Sequence, residues 1–386
     1  MAVEFKAGLR DVIAVDSSIC TVDGDAGKLY YRGYEIRDLA TQASYEEVIH
    51  LLWFGDLPPK GRLAWVHEQL GAVRRLPDPV LSSMRSYPKG AHPLEALRTA
   101  VSVAGMFDVD VHVSTPEANI RKAFRLSAQI PGMVATWHHL RQGREPVPPR
   151  PAGSSAENFL TMLTGKSPSP LAGRTMDMIF ILHADHELNA STFAARVAAA
   201  TFTDLHSAVV AALGTLKGPR HGGANEDVLA MLLEIGDPAK AEKYILDKLA
   251  WRAALSKEER AKPEARIPGF GHPVYKVDDP RAGVLREMAR QVSTEAGTNV
   301  VFQTAVKVYE TMRHDTTLPV NVDFFSAVVY HALGIPIDLC TSIFASARIS
   351  GYCAHVMEQY HERLIRPRAR YTGPPPRPFV PLAARG

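Results

Sequence analysis

The chain has 386 residues, an ordinary apolar fraction and a formal charge of +3. That length suffices for two domains and a large core. So small a charge, with no dense lysine or arginine stripe, does not support a nucleic-acid surface but leaves local cationic sites for anionic ligands open. Cys20, Cys340 and Cys353 are odd in number and form no CxxC pair, which points to a reduced, cytoplasmic compartment. The opening MAVEFKAGLRD lacks the apolar core of a signal peptide. No apolar run approaches the roughly 20 residues that cross a bilayer.

In chain order, Val12 to Tyr31 alternates apolar and polar residues around the Asp-Gly turn VDGDAG, which predicts a small hairpin. From Tyr34 the spacing becomes helical. Apolar residues recur at three and four positions over Ile36 to Trp53, Arg62 to Val73, Leu94 to Phe107 and Ile120 to Leu140. Pro131-Gly132 should break or kink the last of these. Arg144 to Phe159 reads as a proline-rich connection, with Ser155 a weak helix start. Two long apolar helices are expected over Leu171 to Glu187 and Thr192 to Leu216, the second alanine-rich and suited to close helix packing. Further helices are expected over Asn225 to Ile235, Pro238 to Leu255, Pro280 to Gly297, Val300 to Arg313, Phe324 to Leu333 and Leu339 to Tyr360. The tail after Arg366 is proline-rich and extended. The expected fold class is mainly α with a small N-terminal β-hairpin.

Three stretches carry chemistry. IPGFGHPVYKVDDPR, Ile267 to Arg281, sets His272 in a Pro-Gly turn and follows it with Lys276 and Arg281. Its glycines let backbone approach a ligand and leave amides to face an anion. Asp279 is a candidate cap ahead of Pro280. KGPRHGGANEDV places His221 just before a helix with Asn225 as its best cap. The dipole there would favour a neutral ring that donates one hydrogen bond. NVDFFSAVVYHALGIP brings Asp323 into apolar company, where it is either a plain cap or a carboxylate of raised basicity.

Together these segments resemble the citrate synthases in their shorter bacterial and archaeal form, from about Gly8 to about Gly373. The resemblance implies a two-domain helical fold: residues 1–221 as the first part of a large domain, 222–329 as a small CoA-side domain, and 330–386 as the return and tail. It implies condensation of acetyl-CoA with oxaloacetate through an enol(ate), then hydrolysis of citryl-CoA to citrate and CoA. Asp323 would be the base, His221 the donor to the thioester oxygen and His272 the donor to the ketone. His186, Arg281, Arg348 and Arg366 would hold oxaloacetate, Arg366 from the neighbouring subunit of a homodimer. Ile267, Gly269, Gly271 and Lys276 would face CoA. No metal and no cofactor are implied, acetyl-CoA being a substrate, and neither nucleic acid nor membrane is a partner. Pro273 stands where the family often has arginine, so one phosphate contact is in question.

Other readings use the same residues. A 2-methylcitrate synthase would take propionyl-CoA. A non-catalytic helical dimer would bind CoA or a dicarboxylate as a sensor. A metal-dependent hydrolase would use HADHELNAST, where His183 and His186 could share a helical face, although HExxH is absent.

Overall fold

In a computed structural model, residues 5–9, 12–219, 221–260 and 262–385 are described. The first four residues, within the segment read as lacking a signal core, lie outside them, as does Gly386 at the end of the tail. Strands β1 (Cys20–Asp23), β2 (Lys28–Tyr31) and β3 (Tyr34–Glu35) form one antiparallel sheet, with Asp23 opposite Lys28 and Tyr31 opposite Tyr34. The predicted hairpin forms over Cys20 to Tyr31, without strand over Val12 to Ile19, and β3 is an addition to it.

Helices follow to the end of the core. The first seven are α1 (Ile36–Gln42), α2 (Tyr45–Phe54), α3 (Lys60–Val73), α4 (Asp78–Arg85), α5 (Pro93–Met106), α6 (Pro116–Leu140) and α7 (Ser155–Thr164). Then come α8 (Pro170–His183), α9 (Ala190–Ala199), α10 (Leu205–Leu216), α11 (Ala224–Ile235), α12 (Pro238–Ala254) and the single turn α13 (Lys257–Arg260). The last are α14 (Pro280–Ala296), α15 (Asn299–Asp315), α16 (Val322–Ala332) and α17 (Cys340–Gln359).

Where these bounds differ from periodicity, capping explains most of it. The predicted helix Ile36 to Trp53 divides because Ser44 accepts from the Glu47 amide while Glu47 reaches back to the Ser44 amide, starting α2 afresh. A second such box, Ser154 with Glu157, starts α7 inside the predicted proline-rich connection. The predicted helix Thr192 to Leu216 is two helices. Phe202 turns left-handed at φ 62°, and Asp204 accepts the Ser207 amide at 2.9 Å to cap α10. Conversely, Pro131 does not end α6, which runs unbroken through it with most of its second half buried. Packing there outweighs the lost backbone bond.

Helices α5, α6, α8, α9 and α10 surround α17, which is buried along nearly its whole length. Separately, α12 packs on α15, and α11 and α14 pack on α16. No helix among the described residues is long and apolar enough to cross a membrane. One close approach governs how α17 sits. A Cβ on Gly351 would lie 2.3 Å from the Ala184 carbonyl oxygen and 2.5 Å from an Asp185 carboxylate oxygen. Gly351→Ala should therefore cost about 1–3 kcal/mol of stability, read as a lower urea midpoint at unchanged slope.

Candidate functional site

The site is built around the loop between α8 and α9. Helix α8 ends at His183, so His183 and His186 do not share a helical face. His183 instead turns Nδ1 to the Ile179 carbonyl at 2.9 Å inside its own helix. Beyond it Glu187 takes φ 53°, and Asn189 caps α9 by accepting the Thr192 amide at 3.1 Å. One face of α17 grips this loop at three- and four-residue intervals. Arg348 Nε donates to the His183 carbonyl at 2.6 Å. Tyr352 donates to Ser191 Oγ at 2.7 Å, and His355 Nε2 lies 3.2 Å from the Asp185 carboxylate.

His221 lies two residues before the N-cap of α11, which is Gly223; Asn225, the predicted cap, is buried and donates to Ser326 Oγ at 2.7 Å instead. The Ser191 amide donates to His221 Nε2 at 3.2 Å, and Ser191 Oγ lies 2.6 Å from the same nitrogen. Nε2 is thus an acceptor and the ring proton sits on Nδ1, which has no partner among the described residues. Burial, with Arg348 adding to it, pushes His221 down to about 4, so the ring is neutral at pH 7. The neutral ring is the one expected, and burial with a nearby guanidinium lowers its pKa.

His272 has the opposite tautomer. Its Nδ1 accepts from the Val274 and Tyr275 amides, each at 3.0 Å, leaving the proton on Nε2. Burial lowers it to about 4, with Asp279 opposing and Arg281 adding. The amides predicted to stay open for an anion are largely engaged. Phe270 donates to Ile267 at 3.2 Å, Gly271 to Pro319 at 2.7 Å and Lys276 to Gly24 at 2.9 Å. Gly269 takes φ 81° against the Phe324 ring, which a Cβ would meet at 2.5 Å.

This turn is joined to the start of α16. The Asn321 amide donates to the Gly269 carbonyl at 3.0 Å and its side chain to the Gly271 carbonyl at 3.1 Å. Asn321, rather than Asp323, also caps α16, accepting the Asp323 amide at 3.1 Å. The Asp323 carboxylate is thereby free of capping duty. Burial raises it to about 6, against the nearby Arg281 charge.

Two guanidiniums close the site. Arg281 is buried and forks onto both oxygens of Asp279, at 2.9 and 2.7 Å. Burial opposes the Asp279 charge, but Arg281 holds that carboxyl below its usual range. Arg348 is buried with no carboxylate partner among the described residues. Nε is engaged, its carbon lies 4.6 Å over the Phe344 ring, and its two amino nitrogens bond to nothing described. Such a cation is stabilised by an incoming anion. Arg281 acts electrostatically on His186, His272 and Asp323, and Arg348 on His186, His221 and Asp323. His186 meets Tyr275 OH at 3.2 Å, and its ring centre lies 5.4 Å from that of His272. His186, His272 and Asp279 bring ligand-type atoms within 4.8 Å of one another, yet Asp279 already holds a guanidinium with both oxygens, so the grouping favours an anion over a cation.

Two predicted residues lie apart. Lys276 is exposed and pairs with Asp25 at 2.7 Å. Arg366 lies in the exposed tail without a partner among the described residues. Ser191, Tyr275 and Asn321 escaped the sequence reading. Tyr275, three residues after His272, had a positional signal; Ser191 had none.

Two neutral imidazoles of opposite tautomer, a carboxylate of raised basicity and two buried guanidiniums define an acid–base enzyme for an anionic substrate. The family model described as citrate synthase, C-terminal domain, matches residues 8–368. Citrate synthase 2 of Bacillus subtilis is 47% identical over 380 residues, covering 98% of each chain. The 2-methylcitrate synthase of Shewanella oneidensis is 37% identical over 381 residues, again covering 98% of each. The structure of the ternary complex of carboxymethyl coenzyme A and oxaloacetate with citrate synthase from Thermoplasma acidophilum aligns with TM-score 0.89 and 32% identity, over 99% of this chain and 100% of that one. The chain belongs to the citrate synthase family.

Carboxyl carbon NMR should find Asp323 titrating near pH 6, against the usual carboxylate value of about 4. The assignment is made by loss of the signal in Asp323→Asn. Because its pKa is raised, the basic form forms as pH rises through 6 and is lost below it.

Proposed function

We propose that this enzyme is a citrate synthase that condenses acetyl-CoA with oxaloacetate and water to give citrate and CoA. Asp323 takes a proton from the acetyl methyl group. His221 donates from Nδ1 to the thioester oxygen, holding the enol(ate). The carbon attacks the oxaloacetate ketone, and His272 donates from Nε2 to the oxygen that becomes the citryl hydroxyl. Hydrolysis of the citryl thioester completes the cycle. Arg281, Arg348 and His186 hold the oxaloacetate carboxylates. Acid, base and anion contacts all come from side chains, so the reaction needs no cofactor beyond its substrates. The observation that carries this reading is the opposed tautomers of His221 and His272: each ring keeps its one proton for the pocket.

Residues 222–329 form the small, CoA-side domain between the two parts of the large one, 1–221 and 330–386, and its hinge closure excludes water. The mutual packing of α11, α12, α14, α15 and α16 supports this, and His221 and Asp323 then stand at the two crossings. Ile267, Gly269 and Gly271 face CoA. Lys276 reaches a phosphate by exchanging it for Asp25. Arg366 completes the neighbouring site of a homodimer, for which the exposed Leu364, Tyr371 and Phe379 of the tail argue. The three buried free thiols suit a cytoplasmic location.

Release of CoA thiol from acetyl-CoA should depend on oxaloacetate. Asp323→Asn should lower kcat by about 10²–10⁴-fold while oxaloacetate still binds by calorimetry; near-normal turnover would remove the base. Inactive Asp323→Asn and Arg366→Ala chains, mixed under exchanging conditions, should regain activity in hybrid dimers if the site is shared. The similarity to a 2-methylcitrate synthase makes propionyl-CoA the rival substrate. One methylene is worth about 1–3 kcal/mol in a pocket, so kcat/KM should favour acetyl-CoA by about 10-fold or more.

A further inference from the structure

The N-terminal hairpin touches both loops that line the oxaloacetate pocket. At its base, the buried Tyr31 hydroxyl donates to the Asp185 carbonyl at 2.8 Å, with the Ile181 carbonyl at 3.1 Å, and accepts the Asp185 amide at 3.1 Å. Asp185 immediately precedes His186. At its tip, the Gly24 carbonyl accepts the Lys276 amide at 2.9 Å. Backbone meets backbone there: a Cβ on Gly24 would lie 2.4 Å from the Val274 carbonyl oxygen. Val274 and Tyr275 supply the two amides that fix His272. The two loops then meet across the pocket through His186 Nε2 and Tyr275 OH, 3.2 Å apart.

We infer that the hairpin is the back wall of the oxaloacetate pocket, with Tyr31 the positioning residue for His186 and Gly24 that for the His272 turn. The inference rests on the reading of that pocket given above. Neither residue is assigned a contact with substrate. Tyr31 acts through backbone at Ile181 and Asp185, Gly24 through the 274–276 backbone. Without its hydroxyl, Tyr31 would leave the buried Asp185 amide with no partner, and the loop must shift to satisfy it. Productive geometry tolerates about 0.5 Å of such movement.

Steady-state kinetics of the full chain tests this, varying each substrate at saturating levels of the other. Tyr31→Phe should raise KM for oxaloacetate by about 5-fold or more and leave KM for acetyl-CoA within about 2-fold, because the backbone it bonds, at Ile181 and Asp185, adjoins the oxaloacetate contact His186 and lies farther from Ser191 and His221. Tyr30→Phe, on the opposite face of the strand, should leave both constants within about 2-fold of the parent. Gly24→Ala should lower kcat by about 10-fold or more through His272; if that variant does not fold, the two tyrosine variants decide alone. An unchanged oxaloacetate KM in Tyr31→Phe overturns the inference. So does an equal rise in both KM values with a matching loss of thermal stability, which marks a merely structural role. A parent enzyme that releases no CoA overturns the underlying function, an outcome distinct from an active parent with a silent Tyr31→Phe.

Discussion

The site depends on the close approach of α17 to the loop between α8 and α9. Gly351 allows it, and three side chains of the same helical face use it: Arg348 on the His183 carbonyl, Tyr352 on Ser191 and His355 on Asp185. The helix thereby orients the backbone that carries His186 and the serine that sets the proton position on His221. Arg348 is drawn into the interior with its amino nitrogens unmatched among the described residues. Burying a cation in this way is costly, and an anionic ligand relieves the cost.

Protonation in the pocket follows from burial more than from pairing. Both imidazoles fall to about 4 chiefly by desolvation, and the same cause raises Asp323 to about 6. Burial thus works in one direction on all three, favouring the uncharged form. For the histidines this gives donors that are weak acids at neutral pH, suited to holding an oxyanion rather than protonating water. For the aspartate it gives a carboxylate that is ionised at pH 7 and more basic than a solvated one. Local hydrogen bonds then decide which nitrogen carries each remaining proton, and they decide it oppositely for the two rings.

The turn around His272 shows how tightly these demands are linked. Asn321 caps α16, so Asp323 is not the cap, and the same side chain bonds the Gly271 carbonyl one residue before His272. A single asparagine thus frees the carboxylate and ties it to the imidazole turn. On the far side, the hairpin at the start of the chain closes against that turn and against the His186 loop. Segments more than two hundred residues apart in sequence share one small set of backbone contacts.

Much of this was legible in the sequence: the helical periodicity, the Asp-Gly hairpin, the cap at Asp279, and the three motifs around His221, His272 and Asp323. These are local signals, set by residues within a turn or two of each other. The capping boxes at Ser44 and Ser154 are local as well, but apolar spacing does not register them. What only the tertiary structure decided is which donors are left over once the chain has folded. Neither the Ser191–His221 contact, nor the Tyr31 hydroxyl on Asp185, nor the Arg348 nitrogens left unpaired among the described residues has a trace in spacing. Each depends on burial and on partners from distant segments, and those exist only when the segments have packed.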